Sequence, residues 1–499
     1  MNELIHTFLD RKRDWFVPVV GLLLVFILAA RVPVDSDMWW HLKAGEVTIN
    51  NLRPMLVDSL SFTRAGASWI NHSWLSEAGM YIAYRSGGYL AIGLGMALLA
   101  TLSMGLVYFQ SSGPAMLKAF LLVLGSSVAA VVWSPRPQIV SLVFLAVVST
   151  FLYLYKWKKK DHLKWLPLIF CLWGNLHGGY ALGFLLTGAM ILGEAANLLT
   201  GSQSKFFISW KQIGRLVLWS GISALALLIN PNGLDIWKIP FQTVEVSALQ
   251  NLVQEWASPD FHELFQQPFL WLLFAVLAGA GLSRRRIDLG DLVTVVLFGY
   301  MGLVARRNFG PFAIVAVPVL SRNLAAAFQP AGGPEASEYG EQKPGLAQEY
   351  KRRPRWQRRL NLAIVGLLVL TACLKLFIVT YPATIEAAVQ SSQPVGAVSW
   401  LLANQKTGRI LNEYNSGGYL EWMLPGFTFY VDGRTDLFGD SILNQWLADI
   451  QAGEGWEQDV QKWQIDFILI DPQRPLAQAA LQHGWKVLYQ DAQAVLYGK

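Results

Sequence analysis

Apolar residues in this chain gather in long runs that are separated by short polar segments. A run of about 20 apolar residues is enough to cross a hydrocarbon core of about 30 Å as a helix. Such runs occur near 14–33, 88–109, 117–133, 138–155, 165–177, 179–199, 213–230, 269–283, 288–305, 308–321 and 360–381. The pattern predicts a polytopic α-helical membrane protein with about eleven crossings. Segment 73–87 is amphipathic and too short to span, and we expect it to lie on the membrane surface or to dip into it.

After residue 381 the pattern changes, and no later run is long enough to span a membrane. Short β-rich runs at 427–431, 467–470, 487–489 and 494–497 alternate with helix-like stretches at 395–404, 440–451 and 475–483. This alternation is typical of a small α/β domain. The predicted organisation is a transmembrane domain over 1–381, which includes a basic linker over 322–359, and a soluble α/β domain over 382–499.

The composition excludes the other broad classes of protein. Hydrophobic residues make up 53% of the chain and charged residues only 15%, whereas a soluble chain carries about 25% charged residues. An ordinary soluble protein, a disordered chain and a fibrous protein are therefore excluded. The two cysteines, Cys171 and Cys373, both lie inside apolar runs, which excludes a disulfide scaffold.

The distribution of basic residues predicts the orientation in the membrane. With the N-terminus inside, the inside segments hold 23 Lys and Arg residues, and the outer loops of the membrane part hold 7. This arrangement predicts a multi-pass membrane protein with a cytoplasmic N-terminus. The main outer loops are 34–72 and 231–268, the basic linker over 322–359 contacts anionic lipid on the cytoplasmic side, and the C-terminal domain is extracytoplasmic. Nucleic-acid binding is disfavoured, because the basic residues are scattered over the inside loops.

The first outer loop opens with two carboxylates beside the membrane, Asp35 and Asp37. Carboxylates near hydrocarbon are costly unless they are paired, solvated or bound to a metal. Two of them one residue apart can hold a divalent cation such as Mg or Mn, or one of them can act as a general base. A solvated turn that ends the first crossing is the alternative. The long aromatic-rich loop that follows favours a functional role.

Three arginines occur at predicted outer ends of crossings, where the positive-inside rule disfavours them: Arg136, Arg306 and Arg307. An arginine fork binds phosphate well, and the phosphate of a lipid carrier would lie at this depth. The alternative is that these side chains reach toward lipid headgroups. Phosphate binding is favoured for the pair at 306–307, and for Arg136 the two interpretations are even.

Other polar and aromatic residues of the outer segments are candidates for substrate contacts. These are Trp40, His41, His72, His177 and Glu255. Each residue type also has a structural alternative. For tryptophan it is a position at the membrane interface, for histidine a buried place in the core, and for glutamate a surface carboxylate. In the C-terminal domain, Asp432-Gly433-Arg434 follows a predicted strand, where α/β sheets place ligand-binding loops. A turn that carries an internal Asp–Arg pair explains this motif equally well.

Taken together, the chain resembles the GT-C superfamily of membrane glycosyltransferases. The features that carry the resemblance are the many-helix body, Asp35-Ser36-Asp37 at the head of a long first outer loop, and the C-terminal outer domain. The resemblance implies that Asp35 and Asp37 are catalytic residues that position or deprotonate the acceptor, or bind a divalent metal. It also implies a location in a bacterial cytoplasmic (inner) membrane. The donor that it implies is a lipid-linked sugar of the polyprenyl-phosphate type, whose phosphate Arg306 or Arg307 binds. The Trp-Trp-Asp motif of oligosaccharyltransferases is absent from the outer domain, so transfer to asparagine sequons is not expected.

The sequence therefore predicts an enzyme that moves a sugar from a lipid donor to an acceptor on the outer face, with inversion. The acceptor is a glycan, a lipid or a protein. The main alternative is a non-enzymatic transporter or an assembly component for an envelope polymer or lipid. A transporter predicts a polar path of ionisable residues inside the crossings. Glu194, Asp291 and Lys375 are interpreted as isolated or close to helix ends, which favours the enzyme. A catalytically inactive scaffold is a third interpretation.

Overall fold

The structure is a computed structural model, and it describes residues 15–201, 206–245, 254–283, 288–327 and 354–499. Each of the eleven apolar runs coincides with a helix. We call the C-terminal domain the outer domain after its predicted location, which stays a prediction. The helices before it are α1 (Phe16–Ala29), α2 (Met38–Asn51), α3 (Trp74–Gln110), α4 (Ala115–Ala129), α5 (Gln138–Trp157), α6 (Leu166–Leu176), α7 (Ala181–Leu199), α8 (Trp210–Ala226), α9 (Ile239–Glu245), α10 (Gln267–Leu282), α11 (Leu289–Val304), α12 (Phe309–Ala327) and α13 (Arg355–Val379).

Six helical segments of the described chain are long and apolar enough to cross a membrane. They are Trp74–Gln110, Ala115–Val132, Gln138–Trp157, Gly178–Leu199, Arg306–Ala327 and Arg355–Val379. Four further apolar helices are shorter, namely Phe16–Ala29, Leu163–Leu176, Gln267–Leu282 and Leu289–Val304. A helical membrane protein is therefore confirmed, and eleven crossings with a cytoplasmic N-terminus stay predictions.

Two sequence predictions concern segments at the edges of this body. Segment 73–87 forms the first part of α3, which continues to Gln110 past a break at Gly88 (φ 57°, ψ −144°). Its placement on the membrane surface stays a prediction. The basic linker predicted over 322–359 lies mostly outside the described residues, and its two ends belong to α12 and α13.

The centre of the helical body is α12, which packs against α3, α4, α5, α10 and α11. Phe309 and Phe312 on this helix are fully buried. In contrast, α13 lies at the periphery beside α1 and α3, and exposes Leu367 and Phe377. A buried α12 and a peripheral α13 leave the outer domain attached through the outermost helix of the body.

The C-terminal domain is built around a five-stranded sheet with the strand order β2-β1-β3-β5-β4. Strand β1 pairs parallel with β2 and β3, and β5 pairs antiparallel with β3 and β4. The strands are β1 (Gly408–Asn412), β2 (Phe427–Phe429), β3 (Phe467–Ile470), β4 (Lys486–Gln490) and β5 (Val495–Gly498). The helices are α14 (Pro382–Gln390), α15 (Val395–Ala403), α16 (Gly417–Met423), α17 (Thr435–Ile450), α18 (Trp456–Lys462) and α19 (Pro475–Gln482). The small α/β unit is as the sequence predicts, except that strand β1 and helices α14, α16 and α18 were not anticipated.

The first outer loop is part of this domain. Its backbone extends the sheet beside β2, where the N–H of Phe62 donates to the carbonyl of Phe429 at 3.1 Å. The Thr63 hydroxyl donates to the carbonyl of Tyr430 at 2.6 Å. Trp69 of the loop is buried in the same hydrophobic cluster as Tyr430 and Trp446. The loop that carries the Asp-x-Asp motif is therefore fixed to the outer domain.

The bundle has two ends, and we name them by the charged residues that mark them. The outer end carries Asp35 and Arg136 and contacts the outer domain, and the inner end carries Lys156. Helix α5 begins two residues after Arg136, and Lys156 lies in its last turn. At 1.5 Å per residue this helix separates the two ends by about 30 Å.

Candidate active site at the outer end of the bundle

Asp35 and Asp37 lie in the turn that begins α2. The backbone N–H of Asp37 donates to Asp35 Oδ1 at 2.9 Å, and the N–H of Met38 donates to the Asp35 carbonyl at 3.2 Å. An aspartate that accepts a bond from the backbone two residues ahead makes a tight turn. The Asp-x-Asp spacing therefore has a structural role in addition to any chemistry, because it fixes both carboxylates at one end of the bundle.

Arg136 joins these two carboxylates to a third. Its side chain comes from the turn between α4 and α5, and its Nε donates to Ser134 Oγ at 2.8 Å. The guanidinium lies 2.8 Å from Asp37 Oδ2 and 3.5 Å from Asp35 Oδ2, and it also forms a salt bridge with Glu255. Asp37 and Glu255 lie 99 and 119 residues from Arg136 along the chain. Four of the residues singled out in the sequence therefore form one ion cluster.

The surroundings change the acidity of this cluster. Burial raises the pKa of Asp37, and the charge of Asp35 raises it further, against the opposing effect of Arg136. Burial alone lowers the pKa of Arg136, but Asp35 and Asp37 outweigh this effect and raise it, so the guanidinium stays charged. A carboxylate with a raised pKa is a stronger base, which suits the removal of a proton from a hydroxyl group.

The carboxylates do not fit a divalent metal well in this arrangement. Within the described part of the chain, no group of three or more His, Cys, Asp or Glu side chains is placed to hold a metal ion. The guanidinium of Arg136 already lies among Asp35, Asp37 and Glu255, in the position that a cation would take. A divalent cation would have to displace that arginine, so we derive no chemical step through a metal.

Two histidines lie beside each other next to the ion cluster. The ring centroids of His72 and His177 are 5.5 Å apart, with the planes nearly perpendicular. The N–H of Gly178 donates to His72 Nδ1 at 3.1 Å, and the N–H of Gly179 donates to His177 Nδ1 at 3.0 Å. Ser141 Oγ lies 2.8 Å from the same nitrogen of His177. Because each Nδ1 accepts a hydrogen bond, the proton of each neutral ring is on Nε2.

Both of these histidines are neutral at pH 7. Burial lowers the pKa of His177 well below its usual range, and the charges of His72, Arg307 and Arg136 lower it further. Burial also lowers the pKa of His72, and the charge of Arg307 adds to this effect, against an opposing carboxylate, Asp436. A neutral ring with Nε2–H is a hydrogen-bond donor to phosphate or hydroxyl oxygen without adding charge.

His41 is held by a different partner. Its Nδ1 lies 3.0 Å from Glu77 Oε1, and Asn71 Nδ2 donates to the other oxygen of Glu77 at 2.7 Å. Burial lowers the pKa of His41 well below its usual range, followed by the charge of Arg136. One proton is shared between His41 Nδ1 and Glu77 Oε1, and it fixes the orientation of the buried ring.

The two adjacent arginines have different partners. They lie on the 3-10 turn Arg306–Asn308, in which successive side chains point about 120° apart. Arg306 donates to Gln254 Oε1 at 3.1 Å. The guanidinium of Arg307 lies 4.1 Å from the ring centroid of Trp256, and, within the described residues, no salt bridge joins it to a carboxylate. Arg307 is therefore the better placed of the two to bind an anion.

Trp40 forms a wall of the site. Its ring lies against that of His41, with 3.5 Å between centroids, and meets Trp69 edge-on at 6.0 Å. The residue is 7% exposed and belongs to the hydrophobic cluster shared with the outer domain. Packing accounts for its position, and it separates the histidines from that cluster.

The structure adds three residues to the set predicted from the sequence: Glu77, Trp256 and Tyr414. Tyr414 of the outer domain is buried, and burial raises the pKa of its phenol, followed by the charges of Asp37 and Asp432. Trp256 directly follows the predicted Glu255, and Tyr414 lies two residues after strand β1 (Gly408–Asn412). Nothing in the sequence around Glu77 distinguishes it from a polar residue of an amphipathic helix.

Comparison with known proteins supports the fold. No protein-family model matches the chain, and no curated protein matches its sequence significantly. The fold is that of a polytopic helical body with a C-terminal α/β domain, and solved structures share it. One of them is the crystal structure of ArnT from Cupriavidus metallidurans bound to undecaprenyl phosphate. It matches 96% of this chain and 97% of its own, with a TM-score of 0.52 and 12% identity.

A second solved structure also matches. The single-particle cryo-EM structure of arabinofuranosyltransferase AftD from Mycobacteria covers 98% of this chain and 40% of its own, with a TM-score of 0.48 and 12% identity. The match to ArnT, which extends over nearly the whole of both chains, shows that this chain shares the fold of that protein.

Proposed function

We propose that this chain is a membrane glycosyltransferase that moves a sugar from a polyprenyl-phosphate donor to an acceptor on the outer face. One observation carries the proposal. At one end of a GT-C fold, Asp37 has a raised pKa, lies 2.8 Å from Arg136, and is close enough for its charge to act on Arg307. A base and an anion-binding cation therefore occur together. The likeness to ArnT, whose structure holds undecaprenyl phosphate, supports a lipid-linked donor.

The donor phosphate is assigned to Arg307. This guanidinium has Trp256 on one face and His72 and His177 within electrostatic reach. The two Nε2–H groups donate to phosphate or sugar oxygens, and the guanidinium balances the phosphate charge. Arg136 serves another purpose in this proposal, because Asp35, Asp37 and Glu255 already neutralise it.

The chemical step is a single displacement at the anomeric carbon. Asp37 removes the proton of an acceptor hydroxyl, and that oxygen forms a bond to the anomeric carbon of the sugar. The bond from this carbon to the phosphate oxygen breaks, and its electron pair leaves with the polyprenyl phosphate. Attack from the face opposite the leaving group inverts the anomeric configuration. Asp35 and Arg136 hold the base in place, and Glu255 completes the ion cluster.

A divalent cation, Mg or Mn, at Asp35 and Asp37 stays a prediction of the resemblance, and the proposed step does not use it. If Arg136 takes the place of a metal, transfer should continue in excess chelator. Loss of transfer in chelator, with recovery on addition of Mg or Mn, would show instead that the carboxylates bind a metal during turnover.

The test is a transfer assay with the full-length protein in lipid nanodiscs. The donors are a panel of undecaprenyl-phosphate-linked monosaccharides, the acceptor source is a cell-envelope extract, and the released undecaprenyl phosphate is measured. Asp37→Asn should reduce release by about 10²–10⁴-fold, the usual contribution of a general base. Asp35→Asn should also reduce release, because it removes one of the two carboxylates at the head of α2.

The matched control is Asp235→Asn. Asp235 is an exposed carboxylate of the same outer face, and it forms an ion pair with Lys238 at 2.6 Å. Its removal should leave release unchanged, since exposed ion pairs contribute little. Undiminished release by both Asp35→Asn and Asp37→Asn contradicts the proposed function. Absence of release with every donor favours the transporter or scaffold interpretation.

A further inference from the structure

A buried cluster of charges joins the outer domain to the first outer loop. Arg434 donates to both oxygens of Asp432: Nη2 lies 2.5 Å from Oδ2, and Nε lies 2.9 Å from Oδ1 and 3.0 Å from Oδ2. Its Nη1 donates to Oδ1 of Asp58 in the loop at 2.7 Å. Glu421 Oε1 lies 3.5 Å from the same guanidinium. All four side chains are 3% exposed or less. The Asp432-Gly433-Arg434 motif is thus an internal ion pair, one of the two interpretations of the sequence.

This buried cluster is a weak source of stability, because desolvation offsets the attraction between its charges. It places three carboxylates around one guanidinium, and burial of ionised groups costs several kcal/mol per ion. Burial raises the pKa of Glu421 well above its usual range, and the neighbouring Asp432 adds to this effect. With Glu421 neutral, two carboxylates and one arginine remain, and their directional bonds fix the backbone on both sides of Gly433.

Gly433 lies against the catalytic carboxylate. A Cβ at this position would overlap Asp37 Oδ1 and lie 2.5 Å from Trp40 Nε1. A second glycine of the outer domain, Gly418, makes a similar approach, since its Cβ would lie 2.9 Å from Trp40 N and 3.2 Å from Ser36 O. Only residues without a side chain allow the outer domain to come this close to the Asp-x-Asp segment.

Asp37 is therefore held between the membrane part and the outer domain. On one side, Arg136 of the membrane part binds its Oδ2 at 2.8 Å. On the other side, the backbone of Gly433 touches its Oδ1. We propose that Gly433 and Arg434 are positioning residues that hold Asp37 against Arg136, so that the outer domain forms one wall of the active site. This inference rests on the proposed function, because it assigns a position to the proposed base.

The experiment compares two glycine substitutions in the full-length protein. In Gly433→Ala the added methyl group displaces Asp37. In the matched control, Gly396→Ala, the methyl group overlaps Tyr489 Oη on the far side of the outer domain. Both variants strain the outer domain, and only the first reaches Asp37. Their folding is compared by melting temperature and by the monodisperse fraction on gel filtration.

Gly433→Ala should reduce turnover per folded molecule by about 100-fold, the cost of a catalytic group misplaced by about 1 Å. Binding of undecaprenyl phosphate should stay within about threefold of wild type, because Arg307 belongs to the membrane body. The acid limb of the pH profile should move to higher pH, since Asp37 loses part of its interaction with Arg136. Gly396→Ala should change none of these three properties.

Arg434→Lys provides a second variant that retains the charge. A lysine has no planar guanidinium group that could bond Asp432 and Asp58 together. We therefore expect the turnover of Arg434→Lys to lie between that of Gly433→Ala and that of the wild type. Wild-type turnover in Gly433→Ala, with Asp37→Asn inactive, overturns this inference alone. An equal loss in Gly433→Ala and Gly396→Ala also overturns it. Normal transfer by Asp37→Asn overturns both this inference and the proposed function.

Discussion

The two ends of the bundle both bury charged residues, but they use them differently. At the inner end, Lys156 of α5 forms salt bridges with Glu194 of α7 and with Asp288, the latter at 2.6 Å. Next to it, Arg322 of α12 binds both oxygens of Asp291 at 2.7 and 3.2 Å. Each cation of this network is matched by carboxylates from neighbouring helices. Glu194 and Asp291 were interpreted as isolated or close to helix ends. Asp291 does lie in the first turn of α11, but neither residue is isolated, since each forms an ion pair.

At the outer end the pairing is incomplete. Arg136 has three carboxylate partners, while Arg307 rests on Trp256, and the nearby histidines are neutral. The inner residues lie in or next to helices, whereas the outer ones come from turns and loops between the body and the outer domain. A matched network holds helices together. A site that acts on a substrate keeps a base and a cation available, and the outer end has both.

The largest effect on the inner network should come from Lys156→Met. It leaves Glu194 and Asp288 buried without their cation, which should destabilise the protein by about 3–5 kcal/mol. Turnover per folded molecule should not change, because the outer site is about 30 Å away. Thermal unfolding and the transfer assay measure the two quantities.

The control for this variant is Lys160→Met, which removes an exposed lysine four residues further along the chain. It should shift stability by no more than about 0.5 kcal/mol. A loss of turnover in folded Lys156→Met would mean that the inner network takes part in function, and the contrast between the two ends would fail.

The two neighbouring arginines of the outer end, Arg306 and Arg307, should differ in their effect on phosphate binding. Arg307→Ala should weaken binding of undecaprenyl phosphate by about 10–100-fold, because a charge-assisted hydrogen bond contributes roughly 1.5–3 kcal/mol. Arg306→Ala should change it by less than about threefold, since Arg306 donates to Gln254. Equal losses in the two variants would indicate a general effect of positive charge, and the assignment of the phosphate to Arg307 would be wrong.

The pH dependence of transfer should show an acid limb from Asp37. A base must be ionised, so transfer falls as the pH drops through the pKa of Asp37, which burial raises above its ordinary value. Below this midpoint the rate should fall about tenfold per pH unit. His41 and His177 have lowered pKa values and remain neutral, so no separate step is expected near 6.5. Rates that increase toward low pH would contradict the role of Asp37 as the base.

The smallest effect is expected on stability, from substitution of Asp449. This buried carboxylate belongs neither to the inner network nor to the outer-end cluster. Burial raises the pKa of Asp449 to about 7, and Tyr430 Oη donates to it at 2.8 Å. The folded state then binds a proton that the unfolded state releases between about pH 4 and 7, so the free energy of unfolding falls over that range and is lowest above it. Asp449→Asn removes this loss, and at pH 8 it should stabilise the protein by about 0.5–3 kcal/mol. Lower stability of the variant at pH 8 would show that the ionised carboxylate is favourable.

Much of the fold could be predicted from the sequence, because helices in a membrane leave a strong signal. Each of the eleven apolar runs coincides with a helix, since an apolar segment must satisfy its own backbone hydrogen bonds in lipid. Strand β1 (Gly408–Asn412) was missed because it is short, begins at a glycine and has no regular alternation. Its place in the centre of the sheet depends on pairing with β2 and β3, which lie further along the chain.

Most residues of the candidate site could be predicted individually from the sequence, but their arrangement in space could not. Asp35, Asp37 and Arg136 stood out because charge at an outer crossing end needs an explanation, and Glu255 was a candidate as a carboxylate of an outer loop. That they share one guanidinium depends on tertiary contacts between distant segments. Arg306 and Arg307 could not be separated, since only the 3-10 turn decides which of two adjacent side chains points to the cluster. The contact of Gly433 with Asp37 likewise required the packing of the outer domain.

The assignment of the outer end as the active site is tested most directly by the position of a bound lipid phosphate. The alternative place for it is the inner end, where a cavity of about 60 Å³ is lined by Lys156, Asp291 and Arg322 among other side chains. A cryo-EM structure of the full-length protein with undecaprenyl phosphate in nanodiscs distinguishes the two ends. We expect the phosphate within hydrogen-bond distance of Arg307 and close to His177. A phosphate bound at Lys156 and Arg322, with none at Arg307, would contradict the assignment of the outer end as the active site.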